Sequence, residues 1–213
     1  MKRCHFTLVE LLTVIAVIAI LAGIAIPVVV GMQSKGREAA ARADMSAIKL
    51  ALTQFKSDYS IFPVAPSASD TLMRAAFNKD TSGKCDTDID AMIAELTTFN
   101  TEPKSGTTDP EPKTSFTYNK KKRKYLDAPA KPMTPNPAVT GSAVFSKLDP
   151  WGRRYNIALD TNYDKKLELS TAFLGTGSTA ETIVGDIAIY SYGTAEDDGD
   201  LEAFLYSWKS NAK

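Results

Sequence analysis

Phe6 to Met32 reads FTLVELLTVIAVIAILAGIAIPVVVGM, and this stretch decides the fold. From Leu11 to Met32 it runs 22 residues without a charge, with Thr13 the one polar side chain and Pro27 the one proline. A helix of that length rises about 33 Å, enough to cross a hydrocarbon core of about 30 Å. Lys2 and Arg3 precede it and one acid, Glu10, stands at its head. A removable secretory signal would share the basic start, with Gly23-Ile24-Ala25 as its small-residue cleavage site. Such a signal has an apolar run of only about 7–15 residues and no acid at its head. The stretch reads as a membrane helix.

Glu10 carries the chemistry of that helix. A carboxylate costs on the order of 2–3 kcal/mol toward the middle of a bilayer and less near the interface. An acid retained there marks a functional site and calls for a cationic partner; solvation by headgroups is the plainer alternative.

After Met32 the chain turns polar and stays helical. Ala41, Met45, Ile48, Leu52, Phe55 and Tyr59 recur at alternating spacings of four and three, one apolar stripe of an amphipathic helix. Arg42, Asp44, Lys49, Gln54 and Lys56 fall between them, on the wet side. The pattern predicts one helix from about Phe6 to Tyr59, interrupted or kinked near Pro27, where a backbone hydrogen bond is lost. It ends by Phe62-Pro63, because a residue before proline is pushed out of the α region.

Met1-Lys-Arg-Cys-His5, then Phe6-Thr-Leu-Val-Glu10 and the apolar helix, resemble the leader and N-terminus of type IV pilins and type II secretion pseudopilins. The resemblance implies that a prepilin peptidase cuts between His5 and Phe6 and that the new amine of Phe6 is methylated. Glu10 is then the fifth mature residue, where the family keeps a glutamate, and the Phe6 amine is its cationic partner in the same or a neighbouring subunit. Pro27 falls where the family has a proline that loosens the helix in the filament. His5 stands where the family usually has glycine.

Composition narrows the function. In 213 residues, Lys plus Arg and Asp plus Glu balance at 25 each, so no global field points to nucleic acid. One membrane helix and one domain of about 150 residues is the natural division of such a length. Of two cysteines, Cys4 lies in the leader and Cys85 is left alone, which excludes a disulfide framework. The one histidine, His5, is also in the leader. A mature chain without histidine has no Ser-His or Cys-His mechanism and no imidazole for a metal, so the reading is of a protein that is not an enzyme.

Between Pro63 and Pro137 the pattern is irregular. Thr71 to Phe77 and Asp88 to Thr98 read as short helices, and Asn100 to Thr114 as a loop or mobile insert. Phe116 to Leu126 reads as a strand with a charged edge, Lys120 to Lys124. Arg154 to Leu159 and Leu167 to Leu169 flank a polar turn and predict a hairpin; Asp186 to Ser191 is a third strand and Leu201 to Trp208 closes the β region. Asp149-Pro150-Trp151-Gly152 is a tight turn. This turn, Tyr190-Ser-Tyr-Gly193, an acidic loop and Ser207-Trp208 resemble the major pseudopilin of type II secretion more than adhesive pilins.

Thr194 to Asp200 packs four acids into seven residues. Carboxylates this close repel unless protonated, solvated or bound to a cation, and calcium suits them because it takes about 6–8 oxygens in flexible geometry. By likeness to the major pseudopilins, whose corresponding loop holds calcium, the ligands fall at Asp197, Asp198 and Asp200 with a carbonyl near Tyr192. A solvated acidic turn is the alternative. Asp160-Thr-Asn162-Tyr-Asp164 has the opening spacing of an EF-hand, but Lys165 stands at the sixth place and Thr171 at the twelfth, so it reads as a polar turn. Gly175-Thr-Gly177 lacks the room for a dinucleotide-binding unit and reads as a flexible turn. The Lys120 to Lys124 run between tyrosines suits phosphates and bases in principle, but edge protection is the commoner use, and nucleic acid is not the expected partner.

The expected fold is α+β and pilin-like: a long N-terminal helix, its first half membrane-spanning, packed on a small C-terminal antiparallel sheet. Its expected parts are leader 1–5, assembly helix 6–32, amphipathic continuation 33–62, a variable αβ region with a loop insert 63–147, and a β region 148–213. The resemblance implies a structural subunit of a type II secretion pseudopilus, held in the inner membrane with its domain in the periplasm. It would form a helical homo-oligomer with minor pseudopilins on a secretion platform; a type IV pilus subunit is the alternative.

Overall fold

The computed structural model describes residues 8–75, 77, 84–103, 110–127 and 147–209, with 24–31, 84–87, 99–103 and 110–112 described by backbone alone. The chain falls into two compact units, Met1–Ala39 and Ala40–Lys213. Helix α1, Leu8–Tyr59, is 52 residues long and contributes to both. It continues through Gly23, Pro27 and Gly31, so the interruption expected near Pro27 is not present in its bounds. Among the described residues no helix is long and apolar enough to cross a membrane. The fully described apolar stretch, 8–23, rises only about 24 Å; the remainder of the run to Met32 falls largely on residues 24–31.

In the second unit the predicted stripe packs as its spacing requires. Ala41, Ile48, Leu52 and Phe55 are fully buried and Met45 nearly so. They meet α2, Lys84–Thr97, through Ile89, Met92, Ile93 and Leu96. Beneath both lies a sheet of β1 (Thr71–Met73), β4 (Asn156–Leu159), β7 (Ile187–Ser191) and β8 (Leu205–Tyr206), antiparallel throughout and in the order β1-β4-β7-β8. Two smaller ribbons accompany it: β2 (Phe99–Pro103) with β3 (Pro110–Pro112), and β5 (Lys166–Leu169) with β6 (Glu181–Val184). A short helix, α3 (Thr171–Leu174), follows β5.

The sheet is buried on both faces, because strand side chains alternate. Ile157, Leu159, Ile187 and Ile189 join the core shared with α1 and α2. Ala158, Ala188, Tyr190 and Tyr192 join a second core with Leu167, Leu169, Phe173 and Phe204. Helices therefore cover one face, and the β5–β6 ribbon with α3 covers the other.

Four expectations are corrected here. Thr71 to Phe77 is not a helix: Thr71, Leu72 and Met73 pair with Leu159, Ala158 and Ile157, and sheet pairing overrides local propensity. Asn100 to Thr114 is not all loop, since Phe99 pairs with Pro112 and Pro103 with Pro110 in an irregular ribbon held by backbone bonds. Phe116 to Leu126 forms no strand; its backbone is bound to α2 instead, with the Tyr125 and Leu126 amides donating to the Leu96 carbonyl at 2.9 and 3.1 Å. The predicted hairpin does not close, because β4 is taken by β1 and β7 while β5 pairs with β6.

Candidate functional site: the apolar helix and the acidic loop

The apolar part of α1 belongs to the first unit. Glu10 lies in its first turn, where a negative charge favours the helix dipole, and the Thr13 hydroxyl donates to the Glu10 carbonyl at 3.0 Å. Ten large apolar side chains from Leu8 to Leu21 are between 52% and 80% exposed, on every side of the helix. Pro27 lies within the same helix, and His5 and Phe6 lie outside the described residues.

The acidic loop belongs to the second unit and follows β7. One turn braces its base. The Asp149 carbonyl accepts the Gly152 amide at 2.9 Å, closing the Asp-Pro-Trp-Gly turn with Gly152 at φ 81°. Asp149 Oδ1 accepts the amides of Trp151 at 3.0 Å and Arg153 at 2.8 Å, and its Oδ2 accepts the Ser191 hydroxyl at 2.6 Å. Burial pushes the Asp149 carboxyl above the usual carboxylate range despite these bonds. Two of the motifs that suggested a pseudopilin, the Asp149 turn and Tyr190–Gly193, are thus joined by one hydrogen bond.

The structure does not gather the four expected calcium ligands into a cage. Asp198 forms an ion pair with Arg74 and accepts the Thr176 hydroxyl at 3.0 Å. Asp197 Oδ1 accepts the Gly199 amide of its own turn at 2.8 Å. The Tyr192 carbonyl accepts the Ala195 amide at 3.0 Å, and its hydroxyl donates to the Ala75 carbonyl at 2.6 Å. Asp200 opens the 3₁₀ turn Leu201–Ala203 and makes no side-chain cap bond there. Among the described residues no group of three or more His, Cys, Asp or Glu is placed to hold a metal ion.

The other motifs settle into local structure. Asp160 accepts the amides of Asp164 and Lys165 at 3.2 and 2.9 Å, the polar turn its spacing implied. The basic run wraps the end of α1: the Lys121 amide donates to the Tyr59 hydroxyl at 2.8 Å, and Arg123 reaches Asp58 at 2.8 Å. Glu95 in α2 anchors that wrap, accepting Lys113 at 2.8 Å and the amides of Thr117, Tyr118 and Asn119 at 3.0, 3.1 and 2.7 Å. Burial opposes its charge, but the Lys113 ammonium and these amides outweigh burial and hold the carboxyl below its ordinary range. Arg74, Arg153 and Glu95 escape a sequence reading, since their partners lie 18 or more residues away or in turns without a periodic signal.

Over 79 residues the chain is 29% identical to the type II secretion system core protein G of Vibrio cholerae, covering 37% of this chain and 54% of that protein. The chain is similar to a type II secretion pseudopilin. The match supports a pilin-like resemblance over about half the length of that pseudopilin. The α+β architecture, an N-terminal helix with a small antiparallel sheet, is compatible with it. No family model matches the chain. No solved structure matches it either.

Proposed function

We propose that the chain is a structural subunit of a type II secretion pseudopilus, not an enzyme. The observation that carries this is the ring of exposed apolar side chains from Leu8 to Leu21 around a helix whose first turn holds Glu10. Covering such a set is worth on the order of 10 kcal/mol or more, so this surface belongs in lipid or against other helices. The apolar run to Met32 holds the subunit in the inner membrane, with the second unit in the periplasm. After the leader is cut between His5 and Phe6, the helices leave lipid and bundle as the core of a filament. Glu10 sets register against a Phe6 amine, and a prepilin peptidase, a secretion platform and minor pseudopilins are the partners. The similarity to a pseudopilin supports this reading.

N-terminal sequencing of the mature protein tests it. The expected result is a methylated Phe6 at the start, with Glu10→Leu abolishing sedimentable filaments. A chain that retains residues 1–5 and stays monomeric would overturn it.

A further inference from the structure

We infer that the acidic loop is held by the chain's own arginines, Arg74 and Arg153, in place of a divalent cation. The loop needs a countercharge, since Glu196, Asp197, Asp198 and Asp200 lie within five residues. Arg74, just after β1, supplies one: its guanidinium pairs with Asp198 and also donates to the Ala172 carbonyl of α3 at 2.7 Å. Arg153, beyond the Asp149 turn, reaches the other end of the loop and donates to the Ala195 carbonyl at 3.0 Å. Its guanidinium also lies over the Phe77 ring, 4.4 Å from the centroid. One guanidinium thus takes a carboxylate and the other a carbonyl, the two kinds of oxygen that a calcium cage draws from a loop.

The loop is also seated by its own backbone. A Cβ on Gly175 would lie 2.7 Å from the Asp198 carbonyl oxygen, so the loop backbone rests directly on the turn after α3. A planar guanidinium suits this place because it makes several directed bonds at once, to Asp198 and to Ala172. One of the two charges, Arg74, directly follows the sheet's first strand, so its position depends on the pairing of that strand. This inference concerns the second unit and does not depend on the filament reading.

The test is thermal unfolding of the full chain in detergent, in millimolar calcium chloride and in EGTA. The expected result is the same Tm in both, within about 1 °C, because a ligand without a site in the folded state stabilises nothing. Arg74→Gln and Asp198→Asn should each lower Tm by about 5 °C, and the double variant should lose no more than either alone. A rise of more than about 3 °C in the parent chain with calcium would overturn the inference, as would losses at Arg74 and Asp198 that simply add. The comparison in calcium and EGTA uses the unaltered chain, so it decides the matter even if a variant fails to fold.

Discussion

The Ser191 hydroxyl donates to Asp149 Oδ2 at 2.6 Å, fastening the Asp-Pro-Trp-Gly turn to the end of β7 with both residues buried. Burial raises the Asp149 carboxyl, so its protonated form is favoured in the fold. The stability this gives is present below the unfolded carboxylate range and is lost as pH rises through the raised folded value. The gap in stability between the parent and Asp149→Asn should therefore narrow from acid toward neutral pH. Asp149→Ala, which strips acceptors from Ser191 and two amides, should cost about 3 kcal/mol at neutral pH. Urea unfolding across the pH range checks both.

Glu95 should show the opposite sign. Its carboxyl is held low, so it stabilises the fold above the unfolded carboxylate range and loses that contribution as pH falls through the lowered folded value. Glu95→Gln should cost about 3 kcal/mol at neutral pH, since Lys113 and three amides lose a buried anion. The difference from the parent should shrink in acid. A constant difference from neutral pH down to acid would show that the wrap of residues 113–124 does not depend on that charge.

Gly193 sits at φ 58°, and a Cβ there would lie 2.2 Å from the Ala203 carbonyl oxygen. Gly193→Ala should cost more than about 2 kcal/mol, from strain in the left-handed region plus displacement of the 3₁₀ turn. Chemical denaturation measures it, and a neutral substitution would place Ala203 elsewhere.

Leu52 and Leu50 separate packing from propensity on one helix. Leu52 is fully buried, whereas Leu50 is 58% exposed. Leu52→Ala should cost about 3 kcal/mol through the cavity it leaves, while Leu50→Ala should lie within about 0.5 kcal/mol of the parent. Equal effects would mean that the stripe from Ala41 to Tyr59 is not what joins α1 to the sheet.

Both helices were legible in the residue pattern: the second half of α1 from its spacing, and most of α2 as the short helix read at Asp88 to Thr98. The strand at β7 was also legible, as an apolar run bounded by turns. The pairing of the strands was not. Asn156 to Leu159 is buried on both faces, so it lacks the alternation that marks a half-exposed hairpin strand, and its neighbours come from residues 71–73 and 187–190. Thr71 to Met73 is too short to show a period at all. The Lys120 to Lys124 run looked like an edge because its charges were visible, while the bonds that bend it, to the Glu95 carboxylate and the Asn119 side chain, were not. In the acidic loop the carboxylates were readable, but their countercharge, Arg74, sits more than 100 positions earlier with nothing local to link them.

The strand order β1-β4-β7-β8 has a consequence for synthesis on the ribosome. Until Leu205 and Tyr206 emerge, β7 has no neighbour on one side and offers Ser191 and Tyr190 as an open backbone edge. A nascent or truncated polypeptide ending short of residue 205 would leave that adhesive border exposed. Completion of translation is thus what closes the sheet's last edge.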